Sequence, residues 1–268
     1  MASKKIHMLI IDPQNDFADS KGSLFVPGAD QDMVRLTALL NRIRGKIDDI
    51  HVTLDSHHVV HIANPIFWRN SNGDQPKPFT IITAKDVESG TWTTKIPGHY
   101  KKALDYLRAL EAGGRYPHVI WPPHCLIGSW GTAINPPMFD ALRAWEEQEF
   151  GVVDMVTKGS NVWTEHFSGV KAEVPEANDP STQINTGLIR TLEEADEIVV
   201  SGIAGSHCVA NTGRDVANNF TDPKYIRKMV LLQDTISPVP GFEKFQDDFI
   251  KEMTARGMQL STSESYLK

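Results

Sequence analysis

The chain is poor in cysteine: Cys125 and Cys208 are the two in 268 residues. That excludes a disulfide scaffold at this size and points to a reducing compartment, so a cytoplasmic location is expected. No block of Lys or Arg stands out and the formal net charge is −7, which argues against nucleic acid or an anionic membrane surface as a partner. No apolar run is long enough to span a bilayer. The first such run, Ile6 to Ile11, is too short for a signal peptide and stops at Asp12. Internal repeats, low-complexity tracts and linker-like stretches are missing too. What remains, 40% hydrophobic and 23% charged residues, is ordinary for a globular protein, and a single domain spanning 1–268 is expected.

Apolar runs and helical stripes alternate along the chain. Ile6–Ile11, Ile50–Leu54, His118–Trp121, Val152–Val156, Ile198–Val200, Met229–Leu232 and Met258–Ser261 read as strands. Helices are expected over Asp30–Lys46 with Asp30 as N-cap, Tyr100–Glu111, Pro137–Glu149, Thr182–Glu194, from Val209 onward, and Phe242–Arg256. This alternation predicts an α/β protein, a three-layer αβα sandwich on a mostly parallel sheet. Right-handed crossovers place all strand carboxyl ends along one edge. Asp12, Asp55, His124, Lys158 and Cys208 each follow a predicted strand and are expected there.

Those residue types suggest chemistry. Cys208 opens a helix after a small-residue turn, where the helix dipole and free N–H groups favour a thiolate. Asp12 can accept the thiol proton, and Lys158 can lower the thiol pKa and hold Asp12 by charge. Backbone N–H groups of the Gly202–Gly205 turn could stabilise an oxyanion. Asp55 and His57 project from one side of an extended segment and His124 can join them, a set suited to Zn²⁺ or Fe²⁺. His58 and His61 are near enough to replace or support these ligands.

The segments IIDPQNDF (10–17), TLDSHHVVHI (53–62), WPPHCLIGSWG (121–131), VTKGSN (156–161) and SGIAGSHCVANTGRDV (201–216) resemble the isochorismatase-like cysteine hydrolases, and within them the nicotinamidases. The resemblance runs through most of the chain in the family's order. It implies Asp12, Lys158 and Cys208 as a catalytic triad, and Asp55, His57 and His124 as ligands of a divalent metal: Zn²⁺, with Fe²⁺ or Mn²⁺ as alternatives. It also implies a cis Ile203–Ala204 peptide, an oxyanion hole from the N–H groups of Ala204 and Cys208, and Phe17 and Trp121 flanking an aromatic substrate ring. The implied activity is hydrolysis of nicotinamide to nicotinate and ammonia by a homo-oligomer acting on a small amide. Another small amide or carbamoyl substrate, or a non-catalytic binding protein on the same fold, are the alternatives.

The chain departs from the family at Ser56 and His207, where an aromatic residue is usual at the first position and an aromatic or small one at the second. It also carries a longer irregular excursion at about 62–98. The Trp and Phe residues of that excursion need cover, and the expectation is a wall over the substrate pocket, with Phe67 or Trp68 as the contact, or else a subunit interface.

Overall fold

A computed structural model describes residues 4–268. Its centre is a six-stranded sheet of β1 (Ile6–Ile11), β2 (Asp49–Asp55), β3 (Asp154–Lys158), β4 (Glu197–Gly202), β5 (Met229–Leu232) and β6 (Gln259–Ser261). The spatial order is β3-β2-β1-β4-β5-β6, and every pairing is parallel. β1 and β4 are buried along their whole length, as continuous apolar runs in the middle of a parallel sheet must be. The strand order reverses between β1 and β4, and open α/β sheets form their binding crevice outside the strand ends at such a point.

Helices cover both faces. α1 (Ala29–Ile43) and α3 (Pro136–Glu149) close one core, which contains Met8, Ile10, Leu36, Leu40, Leu142 and Trp145. α4 (Thr186–Glu193), α5 (Cys208–Asn219) and α6 (Glu243–Arg256) lie over the other, around Leu9, Ile11, Leu192, Val209 and Phe249. This is the expected αβα sandwich.

Several boundaries differ from expectation. α1 starts one residue early, capped by Gly28 at φ 95, and Asp30 lies in its first turn instead of capping it. α4 starts at Thr186, because the Asn185 side chain accepts the Leu188 N–H as its cap. β3 is shifted two residues on, so Lys158 ends the strand. The predicted strand at His118–Trp121 is absent: Val119 makes one isolated antiparallel bridge with Ile81, and Pro122-Pro123 has no N–H with which to continue a ladder.

The 62–98 excursion is more ordered than expected. It holds a short antiparallel strand pair, Trp68–Arg69 against Thr93–Thr94, and between them a short helix, Ala84–Glu88, with a capping box from Thr83 and Asp86. Phe67 and Trp68 are buried in a third core, with Ile62 and Ile82, against Leu104 and Leu107 of α2 (Tyr100–Gly113). They do not line the substrate-sized pocket. The cover for these aromatic groups is the next helix of the same chain.

Candidate active site and metal-ligand cluster

Asp12, Asp55 and Lys158 stand at the carboxyl ends of the neighbouring strands β1, β2 and β3, and Cys208 follows β4 through a five-residue turn. Asp12 is fully buried at φ 45, a left-handed conformation that few non-glycine residues adopt. Its N–H bonds Thr53 O at 3.1 Å, and Thr53 Oγ1 donates to Oδ1 at 2.6 Å. Oδ2 lies 2.9 Å from Lys158 Nζ, close enough for an ion pair but not aligned as a hydrogen bond, so its lone pairs have no donor among the described residues.

The Lys158 side chain is 1% exposed, and its Nζ donates to Asp55 Oδ1 at 3.0 Å, to His166 O at 3.1 Å and towards Cys208 Sγ at 3.7 Å. Burial alone would lower its pKa, but Asp12 and Asp55 outweigh it and hold the ammonium charged. Burial pushes the Asp12 carboxyl up, against the pull of Lys158. Burial also pushes Asp55 up, but His57, Lys158 and His124 more than reverse that and keep it well below the usual carboxylate range.

The expectation of a favoured thiolate is corrected here. Burial drives the Cys208 thiol well up, and Asp12 and Asp55 add to this, so Lys158 lowers it by less than they raise it. The resting sulfur is a thiol beside a carboxylate. The other cysteine, Cys125, is also buried and pushed up, and its backbone N–H is tied to Asp16 Oδ2 at 2.6 Å. The Ile203–Ala204 peptide is cis. Neither the Ala204 nor the Cys208 N–H has an acceptor among the described residues.

Asp55, His57 and His124 converge beside Lys158, all buried, their ligand atoms within 4.8 Å of one another. His124 comes from the proline-rich loop and not from a strand end. His57 Nδ1 bonds Gly159 O at 3.0 Å and His124 Nδ1 bonds Pro122 O at 2.8 Å. A carbonyl only accepts, so both Nδ1 atoms carry the proton, and the two Nε2 lone pairs face Asp55 Oδ2 at 3.0 and 3.5 Å. Three electron-rich atoms pointing at one spot call for a cation between them. Two imidazoles fixed by backbone carbonyls, plus one carboxylate, fit a divalent transition metal. Gly159, at φ 86, permits this closeness: a Cβ there would meet Asp55 Oδ1 and His57 Cε1 at 2.8 Å. His61 is not available as a ligand, since its Nδ1 accepts from Ala63 N at 3.1 Å and its Nε2 bonds Thr164 O at 3.2 Å. His58 is exposed and lies outside the cluster.

A partly open pocket joins the two groups. It is lined by Phe17, Trp121, His124, Phe167, Ala204 and Cys208, among others, with about 40 Å³ open to the centre of a water-sized sphere. Its apolar walls and few polar atoms suit a small flat molecule. Sequence reading missed residues that hold the site in place. Gln14 clamps the Asp55 backbone from both sides, Nε2 to Asp55 O and Asp55 N to Oε1, each at 2.7 Å. Asp16 ties Ser23 N and Cys125 N. The signal was a row of polar residues between a strand end and Phe17, with no reason to face water. Glu165 and His207 also line the pocket. Burial pushes the first well up and lowers the second to about 3.

No family model matches the chain. It is 28% identical over 216 residues to a nicotinamidase/pyrazinamidase of Mycobacterium tuberculosis, covering 79% of this chain and 78% of that protein. It is 23% identical over 212 residues to the nicotinamidase of Saccharomyces cerevisiae, covering 78% and 80%. A solved yeast nicotinamidase superposes with a TM-score of 0.65 at 21% identity, over 95% of this chain and 98% of that one. A zinc complex of the Pyrococcus horikoshii pyrazinamidase does so with 0.54 at 17%, over 96% and 99%. The chain is thus similar over most of its length to curated nicotinamidases, and it shares the fold of the solved ones.

Proposed function

We propose that the protein is a metal-assisted cysteine amidohydrolase that converts nicotinamide and water to nicotinate and ammonia. One observation carries this reading: Asp12, Lys158 and Cys208, from three distant segments, meet in one buried cluster beside a second cluster of metal-ligand type, and one apolar pocket opens on both.

In this mechanism Asp12 takes the Cys208 proton on Oδ2, the oxygen with a free lone pair, as Sγ attacks the carboxamide carbon. Burial raises the Asp12 carboxyl and so makes its carboxylate a stronger base than one in water, while the thiol it deprotonates is raised as well. Lys158 stays charged and offsets the negative charge that moves from Asp12 to sulfur. The oxyanion is received by the Ala204 and Cys208 N–H groups. Asp12 then gives its proton to departing ammonia, leaving a thioester. Water, deprotonated by Asp12, cleaves that thioester and regenerates the thiol. Phe17 and Trp121 hold the ring from the pocket walls. Asp55, His57 and His124 would hold the divalent metal, zinc in the first instance, which supplies a Lewis acid for the ring nitrogen and so orients the substrate.

The test is ammonia release from a panel of small amides, with and without chelator. Nicotinamide is expected to turn over, faster with metal than without. Release from another amide alone would replace the substrate. No release from any amide by metal-loaded protein would end the hydrolase reading.

A further inference from the structure

A second histidine cluster lies at the opposite end of the sheet. His7 on β1 pairs in register with Asp49 on β2, and His51 on β2 pairs with Asp154 on β3. Side chains two apart on a strand share a face, so all four project from the same side. His7 and His51 are 0% and 1% exposed, which is unusual for imidazoles inside central strands.

Each group is held by an outer partner. His51 Nδ1 lies 2.9 Å from Asp154 Oδ2 and donates its proton there, leaving the Nε2 lone pair free. Asp49 Oδ1 accepts the Ile50 N–H at 3.0 Å, leaving Oδ2 free. His51 Nε2 then faces His7 Nδ1 at 3.2 Å and Asp49 Oδ2 at 3.9 Å. His7 Nε2 is buried with no partner among the described residues. With the His51 Nε2 lone pair as acceptor, His7 Nδ1 donates to it here, so an ion bound between them would replace that hydrogen bond, the His7 proton moving to the unpartnered Nε2. A tetrahedral metal at 2.0–2.1 Å from two nitrogens sets them about 3.3 Å apart, close to the separation seen. The cluster reaches solvent through a surface pocket lined by Asp49, His51 and Asp154.

We propose that His7, Asp49 and His51 form a second metal site, with Asp154 as the residue that orients His51. Two imidazoles and one carboxylate select a divalent ion of the zinc type over magnesium or calcium, which prefer all-oxygen shells. Since β2 carries ligands at both ends, the nearest ligands of the two sites, His51 and Asp55, lie four residues apart along the strand, about 13 Å at ~3.3 Å each. An ion here would tie β1 to β2 at the end away from the pocket, and it has no contact with the groups assigned to amide hydrolysis.

The experiment is zinc counting by elemental analysis after equilibrium dialysis of the full chain. Wild type is expected to hold two zinc ions per chain, His57→Ala one, His51→Gln one, and the double variant none. His51→Gln should keep its ammonia release. Because His51 is buried, two partly exposed positions guard against misfolding: Asp49→Asn should lower affinity for one zinc only, and Asp154→Asn should lower it by about 10–100-fold, as loss of an outer-shell partner does. Tetrahedral cobalt absorption that persists in His57→Ala and vanishes when Asp49→Asn is added to it would report the site directly. A single zinc in wild type overturns the proposal, as does a second zinc whose affinity ignores both Asp49→Asn and Asp154→Asn. Neither outcome depends on the amidase reading, which stands or falls on ammonia release.

Discussion

Replacing Lys158 with Met tests whether the buried charge cluster is held together as described. Met matches the length and apolar stem of Lys but removes the ammonium from between Asp12 Oδ2 at 2.9 Å and Asp55 Oδ1 at 3.0 Å. Both carboxylates are within a few per cent of complete burial. Removing one member of such a group leaves uncompensated charge out of water, which costs about 3–5 kcal/mol. The size of the loss depends on pH in a definite direction. Without Lys158 the folded-state pKa of Asp12 rises further above its unfolded value, and that of Asp55 rises from its depressed position, so both carboxylates cost more to keep charged. A group with a raised folded pKa keeps its stability below the unfolded pKa and loses it as pH climbs through the folded one. The difference between wild type and Lys158→Met therefore shrinks towards pH 4 and grows to its full size by pH 8. Urea unfolding across that range measures it, on chelator-dialysed protein, so that a metal on Asp55 does not mask the charge. Adding Asp12→Asn to the same chain should recover part of the loss. A deficit below about 1 kcal/mol that is flat with pH would show that the carboxylates are not buried ion-pair partners, and the electrostatic account of the site would be wrong.

Cys208→Ala is expected to abolish turnover at near-wild-type stability, and an electrophile should label Cys208 in step with inactivation; activity-linked labelling of Cys125 would reverse that assignment. His57→Ala and His124→Ala should each lose the metal of the pocket-side cluster and fall in activity by at least ten-fold, checked by metal analysis alongside kinetics. Glu173, with its side chain 2% exposed, is pushed to about 7 by burial despite Arg115. Its folded pKa exceeds its unfolded one, so it holds stability below about pH 4.5 that is lost as pH rises through 7. Glu173→Gln should accordingly stabilise the protein at pH 8 by up to about 3 kcal/mol while changing little at pH 4, as thermal melts at the two pH values would show.

The sheet was legible because its strands are apolar runs that end abruptly in a charged residue. Ile6–Ile11 stops at Asp12, and the four site residues Asp12, Asp55, Lys158 and Cys208 came together from that rule and right-handed crossovers. His118–Trp121 misled because four apolar or aromatic residues before two prolines look like a strand, and whether a ladder partner exists is a tertiary fact. The aromatic residues of 62–98 lack a period of their own, and their cover, α2, comes later in the chain. The state of the Cys208 thiol depends on a sum of burial and three charges, which no local pattern reports. His7 and His51 were invisible for a different reason: a single polar residue inside an apolar run reads as an interruption, and only the register of β1 on β2 shows that they meet.

The packing of Phe67, Trp68 and Ile82 on α2, apart from both faces of the sheet, divides the chain's resistance to opening into separate parts. Contacts within this third core are mostly local in sequence, between residues 62 and 120, whereas the sheet ties β1 to β4 across nearly two hundred residues. A unit whose buried contacts are this local, and whose remaining ties are to Trp163 and Val174 and not to a strand, can open and re-dock without unpairing the sheet. Its backbone amides, including those of the Ala84–Glu88 turn, would then exchange with deuterium well ahead of those in β1 and β4. The chain segments at its two ends run into His57 and His124, so such an excursion would loosen the ligands on one wall of the pocket while Asp12, Lys158 and Cys208 stayed in register. Product escape and metal exchange would share that one slow opening, with a common rate.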